Sequence, residues 1–139
     1  MVHPRHPLTH IFDTCVFIDH LKYSLPAAGT LILQAASGQL HASVSAITIA
    51  ELWAGVRNRQ DARDHELELA PFFPFVIDDA IAKRAGEIAH KYLRNGVSIA
   101  DGIIAATAER HNLILYTRNV DHFQLIVQSA NLGVVPHLT

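Results

Sequence analysis

Cysteine is nearly absent from this sequence of 139 residues, in which Cys15 is the single example. One thiol cannot form an internal disulfide, so we expect a fold held by its core in a reducing compartment. No stretch approaches the roughly 18 consecutive apolar residues of a membrane span. Residues 1–10 contain no apolar signal core. These absences predict a soluble, cytoplasmic protein with no membrane partner.

An excess of charge is also absent, because the formal net charge is −2 at pH 7. Such a balance argues against a globally basic nucleic-acid coat protein, although it allows a local basic rim. The sequence has no histidine-and-glutamate zinc motif, glycine-rich phosphate loop or dinucleotide fingerprint. Hydrophobic residues make up 50% of the chain, which is enough for an ordinary core. We expect a single domain over residues 1–139, with residues 1–8 as a loose tail.

Short apolar runs alternate with helical patterns along the chain. We predict strands at residues 10–12, 41–44, 72–77, 113–116 and 134–135, and helices at 14–21, 26–38, 46–56, 58–68, 79–95, 99–109 and 120–129. This alternation predicts an α/β fold whose mainly parallel sheet is covered by helices on both faces. Ligand sites in such sheets form beyond the carboxyl ends of the strands.

Four separate segments place an acid or an amide near that edge of the predicted sheet. Asp13 follows the first strand and Glu51 lies early in the helix after the second. Asp101 lies in the first turn of an apolar helix, and Asn119 and Asp121 follow the strand at residues 113–116. Two carboxylates about 4 Å apart repel by about 4 kcal/mol at an effective dielectric constant of about 20, so a cluster calls for a proton or a cation. Oxygen ligands favour Mg²⁺ or Mn²⁺ over zinc, and such ions activate water and stabilise phosphoryl charge.

Each of these residues also has a purely structural explanation. Asp13 can cap the helix that follows it, and Asp101 lies three residues after a serine, as in a capping box. Glu51 can pair with an arginine such as Arg57. Asn119 is of a type common in turns after strands. The prediction of a metal site therefore rests on the set of residues and on no single member.

Four stretches resemble the motifs of the PIN domain family and occur in the family's order. They are residues 13–19, residues 45–52 with Gly55, residues 98–108 and residues 117–123. The chain is similar to the VapC-type toxins, the ribonucleases of type II toxin–antitoxin systems. This resemblance implies a three-layer α/β sandwich with a mainly parallel central sheet flanked by helices.

The resemblance also implies roles for individual residues. Asp13 and Asp101 would bind Mg²⁺ or Mn²⁺ directly, Glu51 would bind the metal or orient its waters, and Asn119 completes the catalytic set. Supporting positions in the pocket are Thr14, Thr48, Thr117, Arg118 and Asp121. Many relatives have an aspartate where Asn119 or His122 stands, which leaves the number of ions open. We interpret Cys15 as a small buried hydrophobic residue.

The implied function is an endonuclease that cleaves tRNA or another structured RNA and is neutralised by a cognate antitoxin. A basic side chain of the antitoxin would enter the acidic pocket. The family also implies a homodimer within a larger toxin–antitoxin complex that contacts promoter DNA only through the antitoxin. The Leu31–Leu33 segment and the Trp53 helix suit either the core or a groove for an antitoxin helix. Among the arginines, Arg118 is the first candidate to bind an RNA phosphate, because it precedes Asn119.

Two alternatives remain open. A PIN fold with weakened catalysis would act in RNA binding or protein assembly, and the neutral Asn119 favours that reading. A receiver-like or phosphatase-like domain would also use an aspartate after the first strand. Such phosphatases typically need a second aspartate two residues later, where this chain has Cys15.

Overall fold

The computed structural model describes Pro4 and residues 6–134, and within this part the elements alternate as the sequence predicts. The strands are β1 (His10–Phe12), β2 (Ala42–Ser45), β3 (Phe73–Phe75), β4 (Ile114–Thr117) and β5 (Leu132–Val134). The helices are α1 (Thr14–Leu21), α2 (Pro26–Ala36), α3 (Ala46–Ala54), α4 (Arg59–Leu69), α5 (Asp79–Lys91), α6 (Ile99–His111) and α7 (Val120–Phe123). Short 3₁₀ turns occur at Leu93–Asn95 and Ser129–Asn131.

The strands form one sheet in the order β3-β2-β1-β4-β5, and each neighbouring pair is parallel. The prediction of a parallel α/β sheet is therefore confirmed. Strand order reverses at β1, so the carboxyl ends of β1, β2 and β4 lie side by side, where such folds place ligands. A receiver-like domain has the order 2-1-3-4-5, which differs from the order found here. The receiver-like alternative is therefore wrong.

Two hydrophobic clusters cover the faces of the sheet and make the three layers. The first packs α5 and α6 on the sheet and includes Ile88, Ile104 and Leu115. The second packs α1 and α2 on the other face and includes Phe12 and Phe17. Of the apolar segment in α2, Leu31 and Ile32 are buried and Leu33 is exposed. Across the described residues, no helix is both long and apolar enough to cross a membrane.

The outer elements follow from their local sequence. Pro74 lies in β3, and this strand is at the edge of the sheet, where a missing backbone N–H does not break a central ladder. Asn58 and Asp78 cap α4 and α5 by accepting backbone N–H groups of Asp61 and Ile81. No residue of α4 is buried.

Several predicted boundaries are corrected. The helix expected over residues 120–129 ends at Phe123, whose carbonyl oxygen then accepts the N–H groups of both Ile126 and Val127 in a turn. The helix expected to reach residue 95 ends at Lys91 and continues as a separate 3₁₀ turn. The last strand begins at Leu132, and the predicted residue 135 lies outside the described residues. Part of the tail predicted over residues 1–8 also lies outside the described residues. Of the described part, Leu8 packs against the core.

Candidate active site

Asp13 joins β1 to α1 and is the most enclosed acid of the predicted set, with 7% of its surface exposed. Its Oδ1 accepts the backbone N–H of Thr14 at 2.8 Å, which caps α1. Its Oδ2 accepts the hydroxyl of Thr117 at 2.8 Å and the thiol of Cys15 at 3.4 Å. The capping explanation is therefore real, but it accounts for only one of the two oxygens.

Glu51 reaches the same region from α3 and is tied to α1 by a threonine pair. The hydroxyl of Thr14 lies 2.7 Å from Glu51 Oε1 and 2.9 Å from the hydroxyl of Thr48, which is fully buried. The Thr14 hydroxyl is oriented to donate to either acceptor, and because it has one proton and a carboxylate is the stronger acceptor, it donates to Glu51. Glu51 is itself exposed, so this hydrogen bond fixes one oxygen and leaves the carboxylate open to solvent.

Asp101 reaches the site from the first turn of α6, where it forms a capping box with Ser98. The backbone N–H of Ser98 donates to Asp101 Oδ2 at 3.3 Å, and that of Asp101 donates to Ser98 Oγ at 3.1 Å. The same Oδ2 lies 3.0 Å from His122 Nδ1, which lies 2.8 Å from the Asn119 amide nitrogen. A carboxylate only accepts, so a hydrogen bond to Asp101 requires a proton on Nδ1, and Nδ1 then cannot also accept from the Asn119 amide nitrogen, which makes the Asn119 contact a close approach only.

Hydrogen bonds and close contacts connect the four predicted catalytic residues along the carboxyl edge of the sheet. Glu51 connects through Thr14 to Asp13, and Asp13 connects through Thr117 to the backbone N–H of Asn119, at 2.9 Å from the threonine hydroxyl. His122 lies between Asn119 and Asp101: its Nδ1 is 2.8 Å from the Asn119 amide nitrogen and 3.0 Å from Asp101 Oδ2. These contacts place Asp13, Glu51, Asp101 and Asn119 along one edge of the sheet, with Thr14, Thr48 and Thr117 between them. Asp121 lies exposed in the first turn of α7.

Burial and charge perturb the acidity of this cluster. Burial is the main cause of the raised pKa of Asp13, and the negative charge of Asp101 raises it further. Hydrogen bonds from Thr117, Cys15 and Thr14 oppose that rise by stabilising the carboxylate. Burial and the charge of Asp13 raise the pKa of Cys15 to about 12, so this side chain remains a neutral thiol. Cys15 is therefore a weak hydrogen-bond donor here and no thiolate ligand.

The donor atoms suit a hard divalent cation. Asp13 and Asp101 are close enough to interact electrostatically, and Glu51 reaches the same edge of the sheet through its contact with Thr14. In the described part of the chain, no group of three or more His, Cys, Asp or Glu side chains is arranged to hold a metal. Mg²⁺ usually binds through one or two carboxylates and keeps several waters, so it does not require such a cage. The residues fit an ion held mainly by Asp13 and Asp101 and by water.

A groove of about 460 Å³ opens beside Glu51 between α1, α3 and α4. Its apolar lining includes Ile18 and Leu52, and Lys22 and Arg57 line it as well. Arg57 pairs with Asp61 at 3.0 Å, so the alternative pairing of Glu51 with Arg57 is not found.

Sequence reasoning missed two partners of the site. Asp19 on α1 has no exposed surface, and its Oδ1 lies 2.8 Å from Nη2 of Arg118. The contact is an ion pair by distance, although neither Asp19 oxygen accepts a well-angled hydrogen bond from the described residues. The structure thus gives Arg118 a buried carboxylate as its partner, where the sequence suggested a phosphate. The missed signal was an acid within an apolar helix, because such acids are rarely buried without a partner. His122, the second such partner, lies 3.0 Å from Asp101 Oδ2 through its Nδ1.

A model of the PIN domain family matches residues 11–126. Ribonuclease VapC10 from Mycobacterium tuberculosis is 34% identical over 128 residues, covering 91% of this chain and 94% of that relative. A chain in a toxin–antitoxin complex from Klebsiella pneumoniae is similar with a TM-score of 0.72 at 26% identity, over 94% of this chain and 100% of that chain. VapBC2 from Rickettsia felis, bound to a DNA fragment from its promoter, gives a TM-score of 0.71 at 20% identity, over 91% and 97%. At 20% identity, the similarity to the Rickettsia chain shows the fold alone.

Proposed function

Because this chain belongs to the PIN domain family, we propose that it is a ribonuclease toxin of the VapC type that cleaves RNA with Mg²⁺ or Mn²⁺. The observation that carries the proposal is the buried carboxylate of Asp13, held at the carboxyl edge of the sheet within electrostatic range of Asp101. A second support is the relative named a ribonuclease, which aligns with nearly all of this chain.

Asp13 and Asp101 would hold the ion, with Glu51 and Asn119 reaching it directly or through water. When bound, the ion would lower the pKa of a water molecule and stabilise charge developing on the phosphoryl oxygens. Thr117 and the backbone N–H of Thr14 hold the Asp13 carboxylate in one orientation. Glu51 keeps one oxygen on Thr14, and its exposed carboxylate can accept a proton from an attacking water.

The proposed substrate is tRNA or another structured RNA, and the proposed inhibitor is a cognate antitoxin. Support for an antitoxin comes from the Klebsiella structure, which is a toxin–antitoxin complex. Charge complementarity favours a basic antitoxin side chain that enters the acid cluster, beside the groove next to Glu51. A complex whose partner leaves the acids uncovered would contradict this part. We also propose that the protein is a cytoplasmic homodimer that assembles with its antitoxin. In that complex, the antitoxin contacts promoter DNA.

RNA cleavage by the purified chain with Mg²⁺ or Mn²⁺ tests the proposal. Asp13→Asn and Asp101→Asn keep the side-chain size and remove the charge. Loss of an outer-shell partner of a metal lowers metal affinity or activity about 10–100-fold. Loss of a direct ligand should therefore lower kcat/KM by more than about a hundredfold. Asp79→Asn is the matched control, because Asp79 is an exposed acid at the start of α5. Equal cleavage by all four proteins, with folding verified by circular dichroism, would indicate a contaminating nuclease and refute the assignment.

A PIN-fold module with weakened catalysis is the second candidate. The neutral Asn119 and the histidine at 122 favour it, since both stand where related chains often have an aspartate. This candidate predicts RNA binding without cleavage at any Mn²⁺ concentration. End mapping of RNA after expression, with Asp13→Asn as the reference, separates the two functions.

A further inference from the structure

Asp19 is a buried carboxylate outside the acid cluster. It lies on α1, none of its surface is exposed, and Nη2 of Arg118 is 2.8 Å from its Oδ1. Removing one partner of a buried ion pair leaves an uncompensated charge in the interior, which is strongly unfavourable. The Arg118 side chain is 38% exposed, so its guanidinium reaches inward from the surface to meet Asp19.

Arg118 contacts the same face of α1 twice. Its backbone N–H lies 3.4 Å from Sγ of Cys15, and its guanidinium pairs with Asp19. Cys15 and Asp19 are four residues apart, which places them one above the other on a single helical face. The backbone and the side chain of one residue therefore attach the end of β4 to α1.

The residues on either side of Arg118 belong to the candidate active site. Thr117 donates its hydroxyl to Asp13 at 2.8 Å, and Asn119 donates its backbone N–H to the Thr117 hydroxyl. We call residues 117–119 the β4 corner. Any shift of the β4 corner relative to α1 changes the contact between Thr117 and Asp13, because Asp13 is the residue that caps α1.

We propose that Arg118 is a positioning residue, whose ion pair with Asp19 holds the β4 corner against α1 and so sets the Asp13 carboxylate for metal binding. This inference rests on the proposed function. It also gives Arg118 a role distinct from phosphate binding, because the guanidinium faces a carboxylate of this chain.

The test compares Asp19→Asn, Arg118→Ala and Arg118→Lys with the wild type. Mn²⁺ affinity is measured by calorimetry at a temperature where circular dichroism shows each protein folded, and kcat and KM are measured on RNA. Asp19→Asn and Arg118→Ala should each weaken Mn²⁺ binding about tenfold or more, as losses of outer-shell partners do. Arg118→Lys keeps the charge and should restore part of the affinity. Arg110→Ala is the control, since it removes an equal charge from a half-exposed pair with Asp78.

Two outcomes would overturn the proposal. The first is unchanged Mn²⁺ affinity and kcat in Asp19→Asn. The second is a phosphate-binding pattern, in which Arg118→Ala raises only KM and lowers the salt slope of RNA binding by about 1, while Asp19→Asn tightens RNA binding.

Hydrogen exchange separates this inference from the proposed function. The N–H of Arg118 lies against Cys15, so it should exchange faster in Asp19→Asn whether or not the wild type cleaves RNA. An inactive wild type with this faster exchange would refute the nuclease and retain the positioning role of Arg118. Unchanged exchange in an active protein would refute the positioning role of Arg118 alone. If Arg118→Ala does not fold, Arg118→Lys and Asp19→Asn still give both readouts.

Discussion

Two glycine-to-alanine substitutions test how tightly α6, which carries Asp101, is packed on α5. A Cβ built at Gly102 would lie 2.6 Å from the carbonyl oxygen of Ala85, whereas ordinary van der Waals contact starts at 3.4 Å. The obstacle is backbone, so it cannot rotate away, and the two helices must separate. A Cβ at Gly86, within α5, meets no atom within 4 Å. The same chemical change should therefore have opposite effects at the two positions.

The magnitudes follow from two opposing contributions. Alanine is favoured over glycine inside a helix by about 1 kcal/mol, so Gly86→Ala should raise the free energy of unfolding by that amount. Overpacking costs about 1–3 kcal/mol, and we expect the upper end at Gly102 because backbone blocks the new methyl group. Gly102→Ala should then lower the free energy of unfolding by about 2 kcal/mol.

Urea denaturation, followed by circular dichroism, measures both variants. Helix propensity contributes equally to the two variants. The difference between their free energies of unfolding therefore isolates the steric contribution at Gly102. A Gly102→Ala protein as stable as Gly86→Ala would refute the close packing of α5 and α6. Because Gly102 follows Asp101, we also expect weaker Mn²⁺ binding in Gly102→Ala and unchanged binding in Gly86→Ala.

Two further predictions concern pH. Burial, with a smaller contribution from the charge of Asp64, raises the pKa of Glu68 from 4.5 to about 7, so the folded state loses stability as pH rises through that range. Glu68→Gln should be more stable than the wild type by about 1 kcal/mol at pH 8, after allowance for solvent screening of a half-buried group, and no more stable at pH 4. The pKa of Asp13 is raised as well, so the metal-free protein should lose stability as pH rises above 3.8, and Mn²⁺ should reverse this loss. Thermal melts with and without Mn²⁺ measure this stabilisation by the ion. Equal melting curves at pH 7 would contradict the ion site.

The sheet and the position of its acids were predictable because both depend on local sequence. The strand before Asp13 is short and apolar, and the residue after it must leave the strand and cap the next helix. Glu51 and Asp101 stand out because each interrupts an apolar helix. In a parallel sheet the carboxyl ends of neighbouring strands meet, so the position of these residues at one edge followed from the alternation alone.

The contacts between distant segments were not predictable in this way. Asp19 and Arg118 belong to different motifs, and only the folded sheet brings α1 against the end of β4. The contact of His122 with Asp101 likewise depends on where α7 meets α6. The length of α7 was overestimated because Ile126 and Val127 continue an apolar pattern. Both pack on the core from a turn, so burial did not require a helix.

The structural and the functional explanations of the acids are compatible in this fold. Asp13 caps α1 and Asp101 lies in the first turn of α6 as part of its capping box, so the partial positive charge of two helix N-termini lowers the cost of placing the two carboxylates near each other. A carboxylate has about four lone-pair positions, and capping uses only part of them. Loss of stability after replacing either acid is therefore no evidence against metal binding. The discriminating quantity is the effect of Mn²⁺ on stability, because a residue that only caps a helix would leave that effect unchanged when substituted.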